Sequence, residues 1–200
     1  MKEVVLDTET TGLSVKDGHR IVEIGCIELE DLIPTKNKFH CYLNPERKVS
    51  EKALAVHGYS DEFLSKQKKF NEVGEEFLEF IKDKKLIIHN ADFDVGFINN
   101  ELSLLGRSEL SNPIIDTVSL ARKVLNTRVA NLDYLCRRFK VDLSERDLHG
   151  ALLDSRLLAE VYLELRGGKQ FSMNLAKNKQ ETNKALNNKT SNQKKIIKFV

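Results

Sequence analysis

Asp7-Thr8-Glu9-Thr10-Thr11-Gly12 directly follows a short apolar run, Val4-Val5-Leu6, and sets two carboxylates two positions apart. Side chains alternate faces along a strand, so both acids leave on the same side. That is half of a metal site. Downstream stand Asp94, within His89-Asn90-Ala91-Asp92-Phe93-Asp94, and His149, followed five positions later by Asp154. Four carboxylates and a histidine suit oxygen-ligated divalent ions beside a proton acceptor, the chemistry that hydrolyses phosphodiesters.

Each of these residues also has a plainer use. Asp7 and Glu9 could be an ordinary strand-end pair, but two acids on one strand face repel unless a cation separates them, which favours metal. Asp92 competes with Asp94, because a helix starting there needs an N-cap. Asp116, just before Thr117-Val118-Ser119-Leu120, is most simply such a cap. His149 alone would be a surface histidine. It gains meaning by preceding Gly150 and the first turn of an apolar helix that carries Asp154.

Positioning these groups requires a strand under Asp7 and helices that begin or end near it. Residues 3–7, 20–29 and 38–43 read as strands joined by short loops, an antiparallel meander. Residues 70–82 carry Val73, Phe77, Leu78 and Ile81 at helical spacing, and Leu86-Ile87-Ile88-His89 is a buried strand that must lie beside the first. Helices at 92–105, 119–125, 131–139 and 151–165 then alternate with a short strand, Ile114-Ile115-Asp116. The expectation is an α/β domain with a mixed five-stranded sheet flanked by helices on both faces. Gly167-Gly168 ends the last helix and closes the domain at 1–168.

Two hundred residues, 40% of them hydrophobic, suffice for one packed domain and little more. No apolar stretch reaches the ~18 residues of a membrane span and no signal peptide opens the chain, so a cytoplasmic protein without a membrane role is expected. Cys26, Cys41 and Cys136 are odd in number and set among apolar residues, which argues for reduced core thiols. The net charge of +2 is unevenly shared. Residues 169–200 hold eight lysines against one acid, Glu181, a net +7 that leaves residues 1–168 at −5. Rich in Lys and Asn and without apolar periodicity over 176–195, this basic C-terminal tail is expected to be disordered. A solvated linker is its plainest reading, with phosphate attraction or a terminal docking peptide as alternatives.

The Asp7–Gly12 run, the His89-Asn90-Ala91-x-Phe93-Asp94 block and the His149-x4-Asp154 pair resemble, in order and spacing, the three motifs of the DEDDh family of 3′→5′ exonucleases. The likeness continues through Val56-His57-Gly58, Asn131-Leu132-Asp133-Tyr134-Leu135-Cys136 and Leu158-Ala159-Glu160-Val161-Tyr162-Leu163. Over nearly all of residues 1–170 the chain is similar to the proofreading subunits of bacterial DNA polymerase III. The resemblance implies a ribonuclease-H-like fold and the removal of mispaired 3′-terminal nucleotides as nucleoside 5′-monophosphates. The partners it implies are DNA 3′ ends, the polymerase III catalytic subunit and the sliding clamp, in a nucleoid-associated replisome.

Carried over by position, the resemblance makes Asp7, Glu9, Asp94 and Asp154 ligands of two divalent ions, Mg²⁺ or Mn²⁺, and His149 the general base. Asp7 would bridge the ions, Glu9 and Asp154 would serve the one that activates water, and Asp94 the other. Two ions ~4 Å apart fit an in-line displacement, with histidine accepting the water's proton. Thr10, Thr11 and Gly12 would offer backbone amides to the terminal nucleotide, while Val56, His57 and Phe93 would line its base and sugar. Gln170-Phe171-Ser172-Met173-Asn174-Leu175 reads by itself as linker. Its Gln-x-x-Met-x-Leu spacing, however, resembles the clamp-binding peptide of these subunits, with Gln170, Met173 and Leu175 as contacts. Residues 196–200 are the candidate polymerase-docking end.

Two other functions share parts of this pattern. A DEDDh ribonuclease trimming RNA or oligoribonucleotide 3′ ends would keep all five site residues but usually lack the clamp-like peptide and the long tail, and a noncatalytic nucleic-acid or polymerase-tethering module would have no need of the intact acid set.

Overall fold

The computed structural model describes residues 2–168. The clamp-like peptide at Gln170, Met173 and Leu175 and the rest of the basic tail lie outside the described residues. Among the described residues five strands form one sheet in the order β3-β2-β1-β4-β5. Strands β1 (Lys2–Thr10), β2 (Ile21–Glu30) and β3 (Ile33–Tyr42) form the antiparallel meander, and β4 (Lys85–Ile88) and β5 (Ile114–Asp116) add in parallel on the other side of β1. The central strand is therefore the one that carries Asp7 and Glu9.

Both faces of the sheet are covered, as the apolar runs require. Val4, Leu6, Leu86 and Ile88 pack with α3 (Phe70–Ile81) and α4 (Ala91–Leu104) through Phe77, Ile81, Phe97 and Leu102. Val5 and Ile87, one residue out of phase, pack on the opposite face with α5 (Thr117–Leu125), α6 (Leu132–Phe139) and α7 (Ala151–Leu165). Period-two alternation thus splits one strand between two cores. Cys26 and Cys136 are buried in those cores, Cys41 is partly buried, and all three are free thiols. No helix among the described residues is long and apolar enough to cross a membrane.

Two departures from the sequence expectations have simple causes. β3 begins at Ile33 instead of residue 38, because Asp31 and Leu32, both at positive φ (53° and 68°), turn the chain directly out of β2. Its first half is an exposed edge, with Lys36, Asn37 and Lys38 in solvent, so no alternation betrayed it. Two short helices, α1 (Glu51–His57) and α2 (Asp61–Ser65), were also not anticipated. Each starts at a serine, Ser50 or Ser60, whose hydroxyl accepts from the N–H three residues on. They bury too few residues to show a periodic stripe.

Candidate active site

Alternation along β1 decides which helix each site residue meets. Asp7 and Glu9 continue the face of Val5, toward α7, whereas Thr8 continues that of Leu6, toward α4. Thr8 reaches Asp94 there. Its N–H and Oγ1 donate to Asp94 Oδ1 at 2.9 and 2.7 Å, holding a carboxylate that is 3% exposed in the first turn of α4. The competition between Asp92 and Asp94 is resolved by the cap: Asn90, at φ 63°, stands at the N-cap position and Asp92 faces solvent. Asp116 caps α5, accepting from the N–H of Val118 and Ser119, as its context implied.

Asp154 arrives from the other side through a close approach of α7 to the sheet. Gly25 pairs with Asp7 across β1 and β2, and a Cβ on it would lie 2.3 Å from the backbone of Ala151 and Leu152. Only glycine admits the helix that near. Ser155 Oγ then donates to Gly25 O at 2.8 Å, and Glu23 Oε2 accepts the Ala151 N–H at 2.8 Å. Glu23, 2% exposed, also accepts from Tyr59 OH at 2.7 Å and binds His40 Nε2 at 2.8 Å. The His149 N–H is tied to Val56 O at 3.1 Å. With the loop fixed at these points, ligand atoms of Glu9, His149 and Asp154 lie within 4.8 Å of one another.

The electrostatics are those of an unneutralised acid cluster. Burial raises Asp7 well above the usual carboxylate range, and Asp94, Glu9 and Asp154 push it further. Burial, then Asp154 and Glu23, lift Glu9 to about 8. Burial lifts Asp94 to about 7 despite the Thr8 hydrogen bonds. Asp154 goes the other way: burial opposes its charge, yet hydrogen bonds from Arg146 and His149 outweigh burial and hold it below the ordinary value. Three acids, Asp94 buried and Asp7 and Glu9 partly so, all pushed above the carboxylate range and offering oxygen donors, fit a divalent cation.

Two cavities flank the cluster. One, about 450 Å³, is lined by Thr10, Gly12, Leu13, Val56, His57 and Phe93 among others, next to Glu9. Five of the six expected nucleotide-binding residues meet there. Thr11 does not: it is fully buried, its N–H donates to Arg20 O at 2.9 Å, and its hydroxyl serves His19 and the Arg20 N–H. A strand irregularity between Glu9 and Thr10 turns it inward, so its amide is spent on the fold. His57 is 2% exposed, and its Nδ1 accepts from the Tyr59 N–H at 3.0 Å, which assigns the proton to Nε2. That Nε2–H makes no well-formed hydrogen bond among the described residues. The second cavity, about 300 Å³, opens beside Asp7, His89, Asp133, Arg146 and Asp154. Glu23 and Arg146 were missed by sequence reasoning. Glu23 is one of three acids in β2, with Glu28 and Glu30, so its position alone did not single it out, and nothing distinguishes Arg146 within a polar loop.

The exonuclease family model, RNase_T, matches residues 4–162. The chain belongs to the exonuclease family. As a member it is a metal-dependent 3′→5′ exonuclease. It is similar to the DNA polymerase III subunit epsilon of Rickettsia felis, 51% identical over 96% of this chain and 86% of the relative. The protein of that name from Escherichia coli is 45% identical over 88% of this chain and 75% of its own length. Among solved structures, the nuclease domain of 3′hExo, a DEDDh family member bound to rAMP, aligns with a TM-score of 0.72 at 17% identity. That alignment covers 83% of this chain and 92% of the other. The latter likeness is one of fold, and it is the mixed five-stranded sheet between helical layers described above.

Proposed function

We propose that this exonuclease proofreads DNA synthesis, removing mispaired 3′-terminal nucleotides as nucleoside 5′-monophosphates in association with a replicative DNA polymerase III at the nucleoid. The observation that carries the reading is the convergence of Asp7, Glu9, Asp94 and Asp154 beside an apolar-walled cavity, in a chain half-identical to epsilon subunits. Asp7, Glu9, Asp94 and Asp154 would hold two Mg²⁺ or Mn²⁺ ions. Bound divalent ions would supply activation of water and neutralisation of charge building at the phosphate.

The chain's own residues supply the rest. His149, half-exposed and with Nδ1 3.2 Å from Asp154 Oδ2, would take the attacking water's proton. Leu13, Val56 and Phe93 would offer apolar surface to the terminal base. Gln170, Met173 and Leu175 would bind the sliding clamp. A 3′-mismatched and a matched primer, with and without polymerase III, each in Mg²⁺ and in EDTA, test the reading. Mg²⁺-dependent release of the mismatched nucleotide is expected, and polymerase should enhance it. Faster digestion of an equivalent RNA strand, with no response to polymerase, would refute the proofreading role.

A further inference from the structure

Arg146 grips both oxygens of Asp154, with Nε 2.7 Å from Oδ1 and Nη2 2.6 Å from Oδ2. Its third nitrogen, Nη1, is bonded to Asp133 in the first turn of α6, and Nη2 also lies 3.0 Å from His149 Nδ1. Only 8% of the arginine side chain is exposed, as is 5% of Asp154, whereas 43% of Asp133 is. The guanidinium therefore supplies, within the acid cluster, the positive charge that a divalent cation would otherwise bring. That explains why Asp154 alone of the four acids is held below its ordinary value.

We propose that Arg146 is a resident counter-ion that holds Asp154 in the metal-free enzyme and passes wholly to Asp133 as the cation loads. The inference rests on Asp154 being a metal ligand. A buried arginine and a divalent cation on one carboxylate repel, so one must yield. Releasing a buried arginine into no partner would be costly, but Asp133 is already bonded to it and a guanidinium has five donors to redistribute. The exchange leaves every buried charge paired before and after. It also withdraws Nη2 from His149, so that cation loading and the freeing of the proton acceptor become one movement. Arg146 is thus a positioning residue, acting through Asp154 and His149.

The test uses the full chain, calorimetric titration with Mn²⁺ and melting in EDTA. Arg146→Gln should bind Mn²⁺ roughly tenfold tighter than wild type, because no charge-assisted pair has to be broken, and should melt lower in EDTA. An arginine with a merely structural role would lower the melting temperature without tightening the metal, and that result overturns the proposal. Asp133→Asn should weaken Mn²⁺ binding several-fold in the wild-type background and hardly at all beside Arg146→Gln. Equal weakening in both backgrounds counts against the exchange. Should Arg146→Gln not fold, wild type suffices: the Arg146 Nε–H should be protected from solvent exchange in EDTA and lose protection at saturating Mg²⁺. Unchanged protection refutes the movement. Asp154→Asn separates the two layers. Unchanged Mn²⁺ affinity there would sink the ligand assignment and the exchange with it, whereas lost affinity there beside an unaltered Arg146→Gln sinks the exchange alone.

Discussion

Glu9, lifted to about 8, and Asp94, lifted to about 7, keep protons in the folded metal-free chain that the unfolded chain releases near pH 4 to 4.5. Asp7 is raised too. Where the native state binds more protons than the unfolded one, stability falls as pH rises. In EDTA the melting temperature should therefore decline between about pH 4.5 and pH 8, by an amount corresponding to a few kcal/mol for the group. Saturating Mg²⁺ should flatten the decline. The lowered acids, Glu28, Glu46, Asp116, Asp142 and Asp154, act in the opposite sense below that window, and the lowered histidines His19, His57 and His89 oppose the decline within it, so the three raised acids must outweigh them. Asp7→Asn replaces a carboxyl that the metal-free fold holds protonated against its tendency to ionise, so it should raise the metal-free melting temperature near pH 8 while abolishing hydrolysis. Melting that rises with pH in EDTA, or an Asp7→Asn enzyme keeping more than about a tenth of wild-type turnover, would contradict the acid-cluster account. His149→Ala should slow hydrolysis by roughly 10²–10⁴-fold with Mn²⁺ affinity nearly unchanged, as calorimetry and single-turnover rates would report. Asp7 and Glu9 were legible from their strand spacing, and Asp94, His149 and Asp154 from the resemblance of their motifs to those of the exonuclease family. Arg146 was not, since its importance comes from partners 8 and 13 positions away that only folding brings together.

Asp154 is useful only because α7 lies against β2 more closely than side chains ordinarily allow. Gly25→Ala places a methyl group 2.3 Å from the α7 backbone, so the helix must shift and carry Asp154 away from Asp7. The expected cost is about 1–3 kcal/mol of stability, typical of overpacking. Turnover should suffer more, by roughly 10²-fold, because misplacement on the order of an ångström is enough for that. Melting and single-turnover rates measured together check this. A variant that is destabilised but hydrolyses at the wild-type rate would show that the close approach serves packing alone. The sequence announced the elements that meet here, β1 through Val4-Val5-Leu6 and α7 through its apolar run, because burial on both sides leaves continuous hydrophobic signals. It was silent on the exposed half of β3, on α1 and α2, and on the meaning of Gly25, where the determinant is a turn, a cap or a neighbour distant in sequence.

Charge divides the whole chain sharply. Residues 169–200 carry +7 and the remainder −5, and among the described residues the last core member is Leu165. The last helix ends there, with Gly167 and Gly168 at positive φ after the Arg166 cap. A body ending at Gly168 should accordingly keep its melting temperature and its turnover on short single strands at physiological salt, where nonspecific phosphate attraction is largely screened. Association is where the loss should fall. If the tail is the tether, removing it takes away the effective concentration near the primer end, so mismatch removal by the complex should drop while the isolated activity stands. Replacing only Gln170 and Met173 with Ala should weaken clamp binding and spare the polymerase. Co-purification separates the possibilities: if the body ending at Gly168 holds polymerase III as well as the full chain does, the polymerase contact lies on the folded surface and the lysines serve another end.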